Sequence, residues 1–287
     1  MIFTRNPYLL RPVCLAGMLL LAFNANASNI LIVNGSSTTS ETGTTSDITS
    51  TLQATCFPDT TADTVTVVDT PPASLTGYDE IWDIRFSNSS PLTAADQAAY
   101  SAFLDAGGKM FVMGENLNFM TRNDSILSWV DALGGGTLTF DSDPALDSYI
   151  TENVDSPYNT TPNSIATLTY NAPGAVTSPG TGQWITENGT YGSAIVWPTG
   201  ALASAPTGSL SVVFDVNFMD TPPVGNSVFL QNLCEVVKTG GTPPPPPPTR
   251  SSATATPIPV GGGLWRWLLV LGVMGFGAFG WRVKKYG

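Results

Sequence analysis

The sequence predicts an α/β fold with a doubly wound, mostly parallel sheet, and three features indicate it. The apolar run 110–113 lies between Gly107-Gly108 and Gly114, a pattern typical of a strand that is buried on both faces. Apolar strand runs and helix patterns alternate between residues 29 and 133. An apolar strand and a closing helix then follow near residue 238. Such alternation favours parallel strands joined by right-handed crossovers.

The first half of the body contains four predicted strands and three predicted helices. The strands cover residues 29–34, 64–69, 80–85 and 110–113. Each helix starts at a residue that can accept a hydrogen bond from the first turn and ends before a turn signal. The predicted starts are Asp47, Thr93, and Asp124 or Ser125. Two glycine clusters, at 107–108 and 134–136, predict where the second and third helices stop.

The pattern changes between residues 137 and 208, which we interpret as a β-rich insert. Short β-like runs alternate there with Pro, Gly, Asn and Ser clusters, which favours hairpins or irregular strands near the carboxyl edge of the sheet. The runs cover residues 137–140, 164–170, 183–187 and 193–197. An apolar core strand over 210–218 and a closing helix over 226–238 complete the predicted body, residues 28–238.

The first 27 residues have the features of a signal peptide. Arg5 and Arg11 precede an apolar stretch, residues 13–23, and Ala25-Asn-Ala27 supplies the small residues that signal peptidase requires before Ser28. We therefore expect an exported protein whose mature chain begins at Ser28.

A linker and an apolar segment follow the body. Residues 239–257 are rich in Pro, Thr and Ser, and the six prolines 243–248 favour an extended polyproline spacer. Residues 264–281 are apolar except for Arg266. A helix of that length spans roughly 27 Å, enough for the hydrocarbon layer of a membrane. The cations of 282–285 favour a cytoplasmic end, which leaves the body on the other side of the inner membrane.

The body is strongly acidic. Seven of the 11 Lys and Arg residues lie in the two ends, which leaves four against all 22 Asp and Glu, a net charge of −18. A surface of that sign repels the phosphates of nucleic acids, so no nucleic-acid partner is expected.

Two cysteines remain after the leader is removed, and an exported protein favours a disulfide between them. Cys56 ends the first predicted helix and Cys234 lies in the last one. In a flavodoxin-like winding these two helices cover the same face of the sheet, so the two side chains can meet. Two free, buried thiols are the alternative.

Three stretches together resemble the class I glutamine amidotransferase-like fold, above all its secreted, non-enzymatic members: residues 30–34, 91–116 and 226–237. Enzymes of that superfamily place a cysteine or serine, paired with histidine, at the turn after the central strand. Glu115 and Asn116 occupy those positions here. Because the chain has no histidine, neither a Cys–His nor a Ser–His–Asp relay can form. The resemblance therefore implies the fold without its catalytic residues, and we expect no cofactor.

The tail resembles the C-terminal sorting signals that exosortase-type transpeptidases process in Gram-negative bacteria. Ile258, Pro259 and Val260 precede the apolar segment and the cationic end, and they are most similar to the Ile-Pro-Thr-Leu variety (IPTL-CTERM) of the PEP-CTERM class. Val260 and Gly261 depart from that variety. The resemblance implies signal peptidase and an exosortase-type transpeptidase as partners, insertion in the inner membrane through 264–281, and release of the body at the cell surface. A permanent single-span anchor, with the body in the periplasm, is the alternative.

Two groups of polar residues are candidate sites. Glu115, Asn116 and Asn118 follow the central strand and, with Asp83 and Arg85 at the neighbouring strand end, could form a polar pocket. Trp184 or Trp197 could stack on a ligand there. Asp141, Asp143 and Asp147 could supply the oxygens that calcium prefers, although the capping of a turn is the simpler interpretation.

We therefore predict a non-catalytic, exported surface protein, and the sorting signal implies an exopolysaccharide or biofilm setting. One alternative is a hydrolase of glycans or peptides that works without histidine, through paired carboxylates such as Glu115 and Asp83. The other is a calcium-dependent adhesion module.

Overall fold

The computed structural model describes residues 28–35, 44–141, 149–219 and 226–241, which form a nine-stranded sheet covered by helices. The strands are β1 (Ser28–Val33), β2 (Asp63–Val68), β3 (Glu80–Asp83), β4 (Lys109–Met113), β5 (Tyr149–Val154), β6 (Thr167–Asn171), β7 (Gln183–Glu187), β8 (Ala194–Trp197) and β9 (Ser209–Val213). The helices are α1 (Thr44–Cys56), α2 (Ala94–Asp105), α3 (Met120–Ala132) and α4 (Ser227–Thr239). Two short 3-10 turns cover Leu117–Phe119 and Asn217–Met219.

The sheet has a parallel half and an antiparallel half. Its strand order is β2-β1-β3-β4-β9-β8-β7-β5-β6. The strands β2, β1, β3, β4 and β9 are parallel to one another. From β9 onward each neighbouring pair is antiparallel. The structure thus confirms a mixed α/β fold with a large sheet, and the chain reverses its direction of winding between β1 and β3, as doubly wound sheets do.

Strand β4 and the end of β1 are apolar without alternation because helices cover both faces of the sheet. In β4, Phe111 and Met113 belong to the apolar cluster that contains the buried residues of α1 and α4. Met110 and Val112 belong to the cluster that contains those of α2 and α3. All four side chains are at most 1% exposed. This double burial is the physical cause of the run from which the strand was predicted.

The disulfide joins the two helices that were expected to meet. Cys56 is the last residue of α1 and Cys234 lies in α4, and their Cα atoms are 5.4 Å apart in the bonded pair. Both residues pack against the apolar cluster under that face. The bond therefore connects the first and last helices of the body across 178 positions of sequence.

The β-rich insert forms antiparallel pairs of consecutive strands, β5 with β6 and β7 with β8, as hairpins do. These strands continue the main sheet sideways from β9 through β8. Strand β5 was not predicted, because Glu152 occupies an inward position where an apolar residue is usual. The predicted strand over 137–140 is wrong, since only Phe140 pairs, in an isolated bridge with Val176.

The predicted start of α2 is confirmed, whereas the predicted start of α3 is wrong by about one turn. Thr93 caps α2 in a full capping box with Asp96, as its sequence position indicates. Helix α3 begins at Met120, about one turn earlier than predicted, since the 3-10 turn before it already directs the chain into the helix. Asn116 caps that turn by accepting a hydrogen bond from the backbone N–H of Asn118, at 2.9 Å.

Several predictions concern residues outside the described ranges. They are the signal peptide over 1–27, the sorting motif Ile258, Pro259 and Val260, the apolar segment 264–281, and two of the calcium candidates, Asp143 and Asp147. Within the described ranges, the structure has no helix with the length and apolar character needed to cross a membrane.

Candidate functional site

The carboxyl edge of the parallel strands brings three acidic residues into the interior. Asp83 ends β3, Glu115 follows β4 after one glycine, and Asp215 follows β9 after one phenylalanine. Each is at most 2% exposed. Parallel strands place their ends at one edge of the sheet, which is where ligands bind in folds of this class. What each carboxylate contacts therefore decides what this edge can do.

Asp83 is held in a buried ion cluster. Its Oδ1 and Oδ2 atoms accept hydrogen bonds from the Arg85 guanidinium, at 2.9 Å and 2.7 Å, and Oδ2 also accepts one from the Tyr100 hydroxyl, at 3.0 Å. The Nη2 atom of Arg122 lies 3.2 Å from Oδ1. Burial acts to raise the pKa of Asp83, but the two arginines outweigh it and hold the pKa at about 2. This carboxylate is therefore a fixed anion at neutral pH.

Arg122 connects the cluster to the backbone of two neighbouring segments. Its Nε atom donates to the Met113 carbonyl at the end of β4, at 3.1 Å, and Nη1 donates to the Ser90 carbonyl, at 2.8 Å. The side chain is fully buried. The cluster thus joins β3, the end of β4 and α3, and its polar atoms are directed at the protein instead of at solvent.

Glu115 lies at the turn after β4, and its carboxylate accepts hydrogen bonds from the backbone. One oxygen accepts a hydrogen bond from the Asn116 N–H, and the other accepts one from the Val216 N–H, at 3.2 Å. Asn123 of α3 fixes the same turn, since its amide accepts from the Glu115 N–H at 3.0 Å and donates to the Glu115 carbonyl at 2.7 Å. The turn is therefore rigid and closed.

Of the predicted pocket residues, Asn116 and Asn118 also have structural partners. Asn116 caps the 3-10 turn. The carbonyl of Asn118, which is exposed, accepts from the Asn88 side chain at 2.7 Å. Trp197 is fully buried and its indole N–H donates to the Gly135 carbonyl, so the prediction of Trp197 as a stacking residue is wrong. Trp184 is half-buried against the apolar cluster of the α2 face.

Asp215 is the acidic residue that the sequence did not reveal as part of this site. Its carboxylate accepts hydrogen bonds from the backbone of Asn171, at 3.0 Å, and of Asn217, at 2.7 Å. Burial raises its pKa well above the usual value, and the charge of Glu115 adds to the effect. Burial likewise raises the pKa of Glu115 to about 7. Glu115 also accepts a hydrogen bond from the N–H of Val216, the residue after Asp215, so these two acids are neighbours, whereas the sequence had suggested Asp83.

Another buried carboxylate lies in the antiparallel half. Glu152 accepts hydrogen bonds from the hydroxyls of Thr186 and Ser193, each at 2.6 Å, and from the Ser193 N–H at 3.1 Å. Burial raises its pKa. No local sequence pattern indicates this network, because its members come from three different strand regions.

Of the three calcium candidates, only Asp141 lies in the described part of the chain. Its N–H donates to the Ala175 carbonyl at 2.8 Å, next to the bridge between Phe140 and Val176. In the described part of the chain, no group of three His, Cys, Asp or Glu side chains is close enough together to hold a metal ion.

Comparison with known proteins shows likeness at the level of fold. No protein-family model and no curated protein matches this chain. Among solved structures, the N-terminal domain of mmIFT52 is similar at 13% identity and a TM-score of 0.50, over 74% of this chain and 96% of the domain. A cytoplasmic protein from Salmonella typhimurium has 11% identity and a TM-score of 0.48, over 73% of this chain and 98% of its own. A thua-like protein from Bacteroides uniformis has 15% identity and a TM-score of 0.46, over 73% and 90%. The first likeness shows the α/β fold alone, and the other two carry no functional argument.

Proposed function

We propose that this chain is an exported surface protein with a non-catalytic body of the class I glutamine amidotransferase-like type. Its C-terminal signal sorts the body to the cell surface through an exosortase-type transpeptidase or anchors it in the inner membrane. The sorting signal favours an exopolysaccharide or biofilm matrix as the setting.

The observation that carries the non-catalytic part is the state of Glu115. This residue occupies the position at which enzymes of the resembled superfamily have a nucleophile, yet it is 2% exposed and both of its carboxylate oxygens accept backbone hydrogen bonds. A catalytic group must reach its substrate, whereas a carboxylate with these contacts stabilises the turn. Since the chain also lacks histidine, the family's acyl-transfer chemistry has no base.

The hydrolase alternative is less well supported for a related reason. Asp83, its second carboxylate, is fully buried and bound by two arginines. Glycoside hydrolysis requires two carboxyl groups that flank a substrate bond. Neither Asp83 nor Glu115 is open to a sugar in this conformation.

The disulfide supports export. A disulfide between Cys56 and Cys234 persists in oxidising compartments and is rare in the cytosol. Such compartments include the periplasm and the cell surface, where the predicted leader and tail would direct the body.

The experiment that tests this proposal is intact mass spectrometry of the native protein, with the cell fraction recorded. Sorting predicts a surface or extracellular protein that begins at Ser28 and has lost residues 264–287. Peptides beyond residue 267 in the mature protein would reject sorting and leave the anchor. A cytoplasmic, full-length chain would contradict export altogether.

The same purified protein tests the non-catalytic body. We expect no turnover of glutamine, ester or glycan substrates above a boiled control. Turnover that follows the protein through purification would reject the proposal, and its loss in Glu115→Gln would assign it to the turn after β4.

A further inference from the structure

The amino edge of the sheet places the first residue of β1 between two carboxylates. Ser28 begins β1, and its register partner on the neighbouring strand β2 is Asp63. On the other side, Asp79 directly precedes β3, and its Oδ2 atom accepts a hydrogen bond from the Asn29 N–H at 2.8 Å. The backbone nitrogen of Ser28 is one residue away from that N–H. The start of β1 therefore lies between the start of β2, at Asp63, and Asp79, which precedes β3.

Other charged groups surround the same position. A cavity of about 630 Å³ opens beside Ser28, and its charged lining residues are Asp59, Asp63, Glu80, Glu235 and Lys238. The amine of Lys109 donates to the Lys238 carbonyl, so both lysines of the body lie at this edge. Among the described residues, the ion pairs involve Asp83 and Asp96, and none involves Asp63 or Asp79.

The charge of the Ser28 nitrogen depends on processing. In the precursor this atom is a neutral amide, because Ala27 precedes it. Signal peptidase hydrolyses the Ala27–Ser28 peptide bond: water supplies the hydroxyl of the new Ala27 carboxyl group, and the Ser28 nitrogen becomes an amine. A free α-amine has a pKa of about 7.7 to 8.0 and is mostly protonated at neutral pH. Cleavage thus creates a cation at a strand start beside two carboxylates that have no ion-pair partner among the described residues.

We propose that removal of the leader after Ala27 completes an ion-pair site, in which the α-ammonium group of Ser28 is held between the carboxylates of Asp63 and Asp79. The site binds the chain's own amino terminus and exists only in the processed protein. It fixes the start of β1 in the parallel half of the sheet, so maturation stabilises the strand around which β2 and β3 are arranged. This inference rests on the export proposed above.

The test measures the pKa of the Ser28 α-amine in the natural mature protein. The protein is purified from its cell fraction and labelled with an acetylating reagent between pH 6 and pH 10, and the labelled N-terminal peptide is quantified by mass spectrometry. Because nearby anions favour the protonated amine, we expect a labelling midpoint roughly 0.5 to 1 pH unit above the value for a peptide with the same sequence. Asp79 is exposed and Asp63 is half-buried, so both carboxylates act through solvent, which limits the shift.

Isosteric variants identify the carboxylates responsible. Asp63→Asn and Asp79→Asn keep the shape of the edge, and each should move the midpoint toward the peptide value. Asp124→Asn, an exposed acid near the start of α3 at the opposite edge, should leave the midpoint unchanged. Since the parent protein is compared with a peptide, the test does not depend on whether a variant folds.

The outcomes separate this inference from the proposed export. A mature chain that begins at Ser28 with a midpoint equal to that of the peptide, or with a midpoint that neither substitution changes, overturns the ion-pair site and leaves export intact. A mature chain that has lost its leader but begins at another residue also overturns the site and leaves export intact, whereas a cytoplasmic, full-length chain overturns both.

Discussion

At the scale of single residues, buried charge is arranged in two opposite ways at the carboxyl edge of the sheet. Asp83 is paired with two arginines, so the folded protein favours its ionised form. Glu115 and Asp215 have only backbone and amide donors, so burial favours their protonated forms. The same edge therefore responds to pH with opposite signs in two different ranges.

The Glu115 carboxyl should make the protein less stable as pH rises through neutrality. Burial raises its folded-state pKa from 4.5 to about 7, so its contribution to stability is complete below the unfolded pKa and is lost as pH rises through 7. For this group alone the loss is on the order of 2 to 3 kcal/mol. We expect urea unfolding to give a lower free energy of unfolding at pH 8 than at pH 5.

Glu115→Gln isolates that contribution. The amide cannot accept the second backbone hydrogen bond, which costs about 1 kcal/mol of stability at pH 5. Because the variant lacks the titrating group, the free energy of unfolding should differ less between pH 5 and pH 8. Burial also raises the pKa of Glu80 to about 7, so part of the slope of unfolding free energy against pH remains in this variant. Asp105→Asn, at an exposed position, is the control and should not change the slope. An unchanged slope in Glu115→Gln would contradict the assignment.

Arg122 should be among the most sensitive positions of the body. Arg122→Met keeps the volume but leaves the carbonyls of Met113 and Ser90 without this donor. It also removes one of the two cations that balance the buried negative charge of Asp83. Loss of one partner from a buried ion pair costs about 3 to 5 kcal/mol. Arg122→Lys should be intermediate, because it keeps the charge but not the fork of donors. Urea midpoints measure the loss, and Lys238→Met, at an exposed cation, should remain within about 0.5 kcal/mol of the parent.

At the scale of elements, the disulfide fixes α1 against α4. The double variant Cys56→Ser/Cys234→Ser should lose about 2 to 5 kcal/mol of stability, because the crosslink closes a long loop and restricts the unfolded chain. Urea unfolding with and without reductant measures this loss. The reduced parent should match the untreated double variant, and the double variant should not respond to reductant. Equal mass and mobility of the parent with and without reductant would contradict the bond.

Elements that follow local physical rules were predictable, and those that depend on distant contacts were not. Strand β4 was predicted because both of its faces are buried, and α2 because Thr93 and Asp96 cap it locally. Strand β5 was missed because the partners that allow Glu152 to be buried lie on and beside β7 and β8. Hydrogen bonds between side chains on different strands leave no pattern in the local sequence.

The same distinction holds for the candidate site. Glu115 could be placed because it follows a strongly predicted strand. Asp215 was hidden, because the predicted strand 210–218 included it as one polar residue within an apolar run. Strand β9 ends at Val213, and Asp215 lies in the turn that follows, where its hydrogen bonds reach Asn171 of β6.

At the scale of the whole molecule, charge is distributed very unevenly. The body between leader and tail has four cations against 22 acids. Two of the four, Arg85 and Arg122, are buried at the carboxyl edge. Only Lys109 and Lys238 remain nearer the surface, and both lie at the amino edge. The exposed charges of the body are therefore mostly negative, and they repel one another at low ionic strength.

Salt should stabilise this body, and the kind of cation decides between screening and a specific site. Screening weakens the repulsion, because the Debye length falls to about 10 Å at 0.1 M salt, so the Tm should rise by a few degrees between 0.01 M and 0.3 M NaCl.

If Asp141, Asp143 and Asp147 only form a turn, CaCl2 and MgCl2 at equal ionic strength should raise the Tm equally. A calcium-binding loop would instead add a stabilisation that grows with the logarithm of calcium concentration and that Asp141→Asn reduces. Carboxylate sites with several oxygens select calcium over magnesium. If the Tm rises equally with the concentration of either ion, the adhesion module is contradicted, whereas a larger rise with calcium supports it.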